Sequence, residues 1–201
     1  MKKALIIVDI QNDFCAGGAL EVPGANEIIP YINLLMEENE YDQIVLTQDW
    51  HPENHQSFAV NHHKNVGETI SLNGIQQFLW PKHCVQGTYG AEFHPDLNRD
   101  KVTHIVQKGK NPEYDSYSGF QDNQQLMKTD LADFLKFHDI QLVEVVGLAL
   151  DFCVKYTCID AANEGFITCL HFNGTRAVNV KPNNAKNAIY EMLENQVTIL
   201  G

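Results

Sequence analysis

The 201-residue chain has no excess of basic side chains: 14 Lys and Arg stand against 26 Asp and Glu, a formal charge of -12. With no cationic surplus to neutralise phosphates, the composition argues against nucleic acid or an anionic membrane as partner. No apolar run approaches the length of a membrane span. The N-terminal "MKKALIIVDIQNDF" does not read as a secretory leader, because Asp9 ends its apolar run and no small-residue cleavage site follows. The five cysteines (Cys15, Cys84, Cys153, Cys158, Cys169) form no CxxC pair and are odd in number, which predicts free thiols in a reducing cytoplasm. Repeats, low-complexity tracts and linkers are also missing. With 44% hydrophobic and 20% charged residues, residues 1–201 read as one globular domain.

Short apolar runs alternate with helical patterns. Segments 4–10, 43–49, 103–108, 142–150 and 167–172 are β-branched-rich and nearly continuously apolar, as buried parallel strands are. A last short strand is expected at "QVTIL". Between them, helical spacing relates Ile28, Ile32, Leu35 and Met36; Met127, Leu131, Phe134 and Leu135; and Ala185, Ala188, Ile189, Met192 and Leu193. "CVKYTCIDAANEG" carries a narrow face of Val154, Cys158, Ala161 and Ala162, with Gly165 as C-cap. The alternation predicts a three-layer α/β/α architecture around a mainly parallel, six-stranded sheet. Segment 50–102, rich in His, Asn, Gly and Pro, interrupts the rhythm; a loop that long in a compact domain is functional, here a metal-site or lid insertion, or disordered.

In open α/β sheets, ligands bind beyond the carboxyl ends of the strands. Those ends carry Asp9, Asp49 with His51, Lys108 and, just past the fourth strand, Cys153. Each has an ordinary explanation: a turn-capping Asp, a snorkelling Lys, a buried Cys, a solvated His-rich loop. Together they supply a proton acceptor, a cation and a nucleophile. A thiol opening a helix feels the positive end of the dipole, and a nearby ammonium would favour its thiolate further. "TQDWHPENHQSF" adds Asp49, His51 and His55 within one loop, half of a metal site; Asp49 and His51, two apart in extended chain, project to the same side.

The blocks "DIQNDFCAGGALEVPGA", "TQDWHPENHQSFA", "WPKHCVQGTYGAEFHPDL", "KGKNPEYDSYSGF" and "GLALDFCVKYTCIDA" resemble, in order, those of nicotinamidases within the isochorismatase-like cysteine hydrolases. The resemblance runs from about residue 4 to residue 178. It implies the isochorismatase-like hydrolase fold and hydrolysis of nicotinamide, with pyrazinamide as an analogue, in NAD salvage. It implies a triad of Asp9, Lys108 and Cys153, and metal ligands Asp49, His51 and His83, with His55 a fourth ligand or neighbour. The cofactor would be one divalent ion, zinc first and iron or manganese next. Phe14, Trp80 and Tyr114 would line the ring pocket. The resemblance further implies a cis peptide at Leu148–Ala149 and an oxyanion hole from the backbone N–H groups of Ala149 and Cys153. Leu150 and Phe152 depart from the family, standing where polar or Tyr/His residues are common.

Three rivals remain: a sister hydrolase acting on another small amide or a vinyl ether, a metal-water hydrolase with Cys153 incidental, and a non-enzymatic metal-binding module. The small-molecule enzyme reading is compatible with a homo-oligomer.

Overall fold

The computed structural model describes all 201 residues. In chain order its regular elements are β1 (Lys3–Val8), α1 (Ile29–Glu38), β2 (Gln43–Asp49), β3 (Thr69–Leu72), β4 (Ile75–Phe78), β5 (His104–Lys108), α2 (Leu131–Phe137), β6 (Leu142–Leu148), α3 (Lys155–Asn163), β7 (Ile167–Arg176), α4 (Asn184–Glu194) and β8 (Thr198–Leu200). Six strands form one sheet in the order β5-β2-β1-β6-β7-β8, and every neighbouring pair is parallel. The expected mainly parallel sheet is thus wholly parallel.

Alternation along β1 explains the layers. Ala4, Ile6 and Val8 enter the core shared with Leu131, Leu135, Val154, Cys158 and Met192, from α2, α3, α4 and the turn before α3. Leu5 and Ile7 point the other way, onto Ile29, Ile32 and Met36 of α1 and onto Phe14, Phe93 and Leu97 from irregular segments. Both faces are covered, so the strands are apolar throughout rather than alternating with polar residues. The first connections run outward on one side of β1 (β2, then β5), and the chain then crosses to β6 on its other side. That reversal opens a crevice at the carboxyl ends of β1 and β6, where ligand sites of such sheets lie.

Several details differ from the sequence reading. Segment 50–102 is not all loop: Thr69–Leu72 and Ile75–Phe78 form an antiparallel hairpin. Its signal was present in "NG", since Asn73 and Gly74 both take the positive φ (49° and 88°) that a tight hairpin turn needs. The helix read through Met127 begins only at Leu131. The Asp122 carboxylate accepts hydrogen bonds from the amides of Gln124, Leu126 and Met127, holding that stretch in a turn and leaving Met127 exposed. Strand β6 stops at Leu148, short of residue 150, because the chain turns there into a wide helical turn over Leu150–Val154. Finally, β7 runs on to Arg176, past a register shift opposite Val145 and Gly147. Gly174 permits this close passage, because a Cβ there would sit 2.7 Å from the Val146 side chain. Gly165, at φ 95°, ends α3 as expected, with its amide bonded to Ala162 O.

Candidate active site and metal centre

Sheet register alone brings the charged strand ends together. Asp49 pairs with Lys108 across β2 and β5, and Val8, just before Asp9, pairs with Thr47. Asp9 adopts φ 50° and is fully buried. Its Oδ1 accepts a hydrogen bond from Thr47 Oγ1 at 2.6 Å, and its Oδ2 lies 2.9 Å from Lys108 Nζ. The buried Lys108 ammonium also pairs with Asp49, donates to the Ser116 carbonyl at 3.0 Å and stands 3.5 Å from Cys153 Sγ. Asp9, Asp49 and Cys153 each offer an atom to a cluster within 4.8 Å.

Cys153 reaches this cluster from the turn that leaves β6. The Leu148–Ala149 peptide is cis, and Val154 N–H bonds back to Ala149 O at 3.1 Å, one residue wider than an α-helical turn. The structure revises the electrostatic expectation for this thiol. Burial pushes Cys153 well above the usual thiol range; Lys108 opposes it, but Asp9 and Asp49 add to it. The resting group is a thiol whose proton needs an acceptor. Asp9 fits, because burial raises its carboxyl despite Lys108, and that raises its basicity. For Asp49, burial is outweighed by Lys108 and His51, which hold the carboxyl well below its ordinary range. One carboxylate is tuned toward accepting a proton and the other toward remaining an anion.

Around Asp49, His51 Nε2 lies 3.4 Å and His83 Nε2 3.8 Å from Oδ2. Each ring is fixed through its other nitrogen: His51 Nδ1 donates to Gly109 O at 2.9 Å and His83 Nδ1 to Pro81 O at 2.7 Å. Burial lowers the pKa of His51, but Asp49 outweighs it and raises it. A carbonyl only accepts, so each ring, once neutral as ligation requires, would direct an Nε2 lone pair inward. One carboxylate and two imidazoles, buried and with ligand atoms within 4.8 Å of one another, fit a divalent metal with open coordination positions.

His55 differs. Its Nδ1 accepts the Ser57 amide at 3.2 Å and lies 2.8 Å from Ser57 Oγ, so the neutral ring carries its proton on Nε2. That Nε2 is buried without a partner, near His51 and Asp115. A protonated nitrogen donates rather than ligates, which favours the supporting reading of His55. Burial, with His51 adding, brings its pKa down to about 4 and keeps the ring neutral.

Several positioning residues escaped the sequence reading. Gln11 clasps Asp49 on both sides, accepting its N–H and donating to its carbonyl, each at 2.8 Å, and donates to Ala91 O at 2.9 Å. The Asp13 carboxylate accepts the amide of Cys84, the residue after His83, at 2.7 Å. Gly109, at φ 65°, packs so closely on the His51 ring that any Cβ would overlap it. Only the short spacings within "DIQNDF" and "KGK" hinted at these.

A small cavity joins the two halves. Phe14, Trp80, Tyr117 and Phe152 form apolar walls, and Asp49, His83, Asp115, Ala149 and Cys153 supply polar or reactive edges. Trp80 Nε1 donates to Tyr117 Oη at 3.2 Å and its ring meets Phe152 edge-on at 4.9 Å. Phe14 and Trp80 therefore line the cavity, but Tyr114 does not; it faces an open groove beside Lys110, Asn111 and Lys128. The Asp115 carboxylate, held by Gln77 Nε2 at 2.9 Å and the Ser116 amide at 2.8 Å, turns the chain so that Tyr117 faces inward instead.

The isochorismatase domain model matches residues 3–200. The nicotinamidase of Escherichia coli is 42% identical over 192 residues, spanning 94% of this chain and 90% of that protein. A nicotinamidase/pyrazinamidase structure from Acinetobacter baumanii superposes with a TM-score of 0.95 at 44% identity, covering 99% of this chain and 95% of its own. The pyrazinamidase of Pyrococcus horikoshii, solved in complex with zinc, gives 0.78 at 37% identity over 100% of this chain and 99% of its own. The chain belongs to the isochorismatase family.

Proposed function

We propose that this protein is a nicotinamidase: it hydrolyses the carboxamide of nicotinamide to nicotinate and ammonia, a step of NAD salvage. One observation carries the reading. Cys153, Lys108 and Asp9 meet at one edge of an aromatic-walled cavity whose other edge is a divalent-metal donor set. Relatives named as nicotinamidases at this level of identity support the same substrate.

The resting Cys153 thiol gives its proton to Asp9, and the sulfur attacks the carboxamide carbon to form a C–S bond. Lys108 balances negative charge as it moves between Asp9 and the sulfur. The tetrahedral oxyanion is received by the backbone N–H groups of Ala149 and Cys153, where one such donor contributes about 2.7–4 kcal/mol in studied enzymes. Asp9 returns the proton to the departing amine, the C–N bond breaks and ammonia leaves a thioester. Asp9 then takes a proton from water, whose oxygen attacks the thioester. The C–S bond breaks, Asp9 returns that proton to the Cys153 sulfur, and the released acid gives its remaining proton to solvent or ammonia and leaves as nicotinate. Phe14, Trp80 and Tyr117 stack and orient the flat ring and exclude water. Asp49, His51 and His83 would hold the metal, with zinc supported by the Pyrococcus relative; when bound, it supplies Lewis-acid contact for the pyridine nitrogen.

Five unpaired cysteines support a reducing cytoplasmic setting, and no helix is long and apolar enough to cross a membrane. The deciding experiment is ammonia release from nicotinamide beside a panel of carbamoyl and aliphatic amides, with and without chelator. Turnover of nicotinamide above the panel supports the proposal; preference for another amide overturns it.

A further inference from the structure

Asp151 is 4% exposed, yet no cation pairs with it. A lone buried carboxylate is costly unless polar groups surround it. Here its Oδ1 accepts the Val178 amide at 2.9 Å and its Oδ2 the Asn179 amide at 2.8 Å. Asn179 takes φ 54°, a left-handed turn that lets two successive amides face one anion. The clamp joins two segments that each reach the cavity. Asp151 lies two residues before Cys153, on the turn that also presents Ala149 and Phe152, while Val178 comes from the segment that leaves β7. Beyond Asn179 the chain is exposed until α4.

We infer that Asp151 is a positioning residue that sets ring-size selectivity. By gripping the Val178 and Asn179 amides, it holds the Val178 side chain as a fixed wall against the bound ring, tied to the turn that carries the nucleophile. The inference rests on the nicotinamidase reading for its substrate. The class discriminated is pyridine carboxamides bearing a ring substituent, against the unsubstituted ring. Asp151 touches no reacting atom, so its effect belongs in binding rather than in bond breaking.

The test uses Asp151→Asn, which replaces one acceptor oxygen by an amide NH2 donor facing an N–H, and Val178→Ala, which lowers the wall and leaves the clamp intact. For each, KM for nicotinamide should rise about fivefold or more with kcat within about twofold of the parent. The kcat/KM ratio for 5-methylnicotinamide over nicotinamide should rise about tenfold. The double variant should be no worse than the stronger single one, because both act through the same wall. Hydrogen exchange of the peptide spanning 176–182 should speed up in Asp151→Asn but not in Val178→Ala, a readout that needs no substrate. Unchanged KM and ring preference in Val178→Ala, multiplicative effects in the double variant, or unchanged exchange in Asp151→Asn would each overturn the inference. Absence of nicotinamide turnover by the parent would refute the nicotinamidase reading instead, and the exchange result would still decide the clamp.

Discussion

The Lys108 ammonium lies 2.9 Å from the Asp9 carboxylate, and neither side chain is exposed to water. Lys108 also pairs with Asp49, so one buried cation serves two carboxylates. Lys108→Met would leave two buried anions facing each other. A loss of about 3–5 kcal/mol is expected, the usual consequence of removing one partner from a buried pair, together with loss of turnover. Urea unfolding checks the first and ammonia release the second; a variant as stable as the parent would show that the cluster is hydrated.

Cys153→Ala removes the proposed nucleophile and little volume. Turnover should vanish, while the melting temperature and bound metal stay at parental values. Iodoacetamide should inactivate the parent with one adduct at Cys153, because of the five thiols it is the one that lines the cavity, beside Lys108. Residual activity near that of the parent would restore the metal-water rival.

Metal removal separates ligands from neighbours. With the metal at about a hundredfold over its Kd, binding stabilises the fold by about 2.7 kcal/mol. For a chain of this size, chelation should therefore lower the melting temperature by on the order of 5–10 °C. His51→Ala or His83→Ala should bind little metal and show no chelator effect. His55→Ala should retain a full equivalent by elemental analysis, since its Nε2 carries a proton; loss of metal there would make it a ligand.

Away from the site, Glu144 accepts hydrogen bonds from His171 Nε2 and Tyr41 Oη, each at 2.7 Å. The His171 bond, opposed by burial and aided by Tyr41, brings its pKa from 4.5 down to about 2. A carboxyl depressed in the folded state contributes stability above its unfolded pKa and loses it as pH falls through the folded value. Glu144→Gln should thus be less stable than the parent near neutral pH, and the gap should close as pH falls from about 4.5 toward about 2. Urea midpoints measured across that range check this; a constant gap would mean that the charge contributes nothing.

Local sequence determined the strands, most helices and the reactive residue types. Unbroken runs such as "ALIIV" can only be buried on both faces, and a parallel sheet then sends its strand ends to one side, which placed Asp9, Asp49, Lys108 and Cys153 together. The metal half-site was legible because "DWH" sets two donors on one side of an extended chain. Tertiary structure decided what depends on distant partners. Tyr117 rather than Tyr114 lines the cavity, beside an Asp115 held by Gln77 from a hairpin about 40 positions earlier. The Cys153 proton, the basicity of Asp9 and the tautomers of His51, His55 and His83 follow from burial and from single carbonyls or amides that no spacing rule reveals. Residue type states which chemistry is available; the protonation state in which it rests is set by what surrounds it after folding.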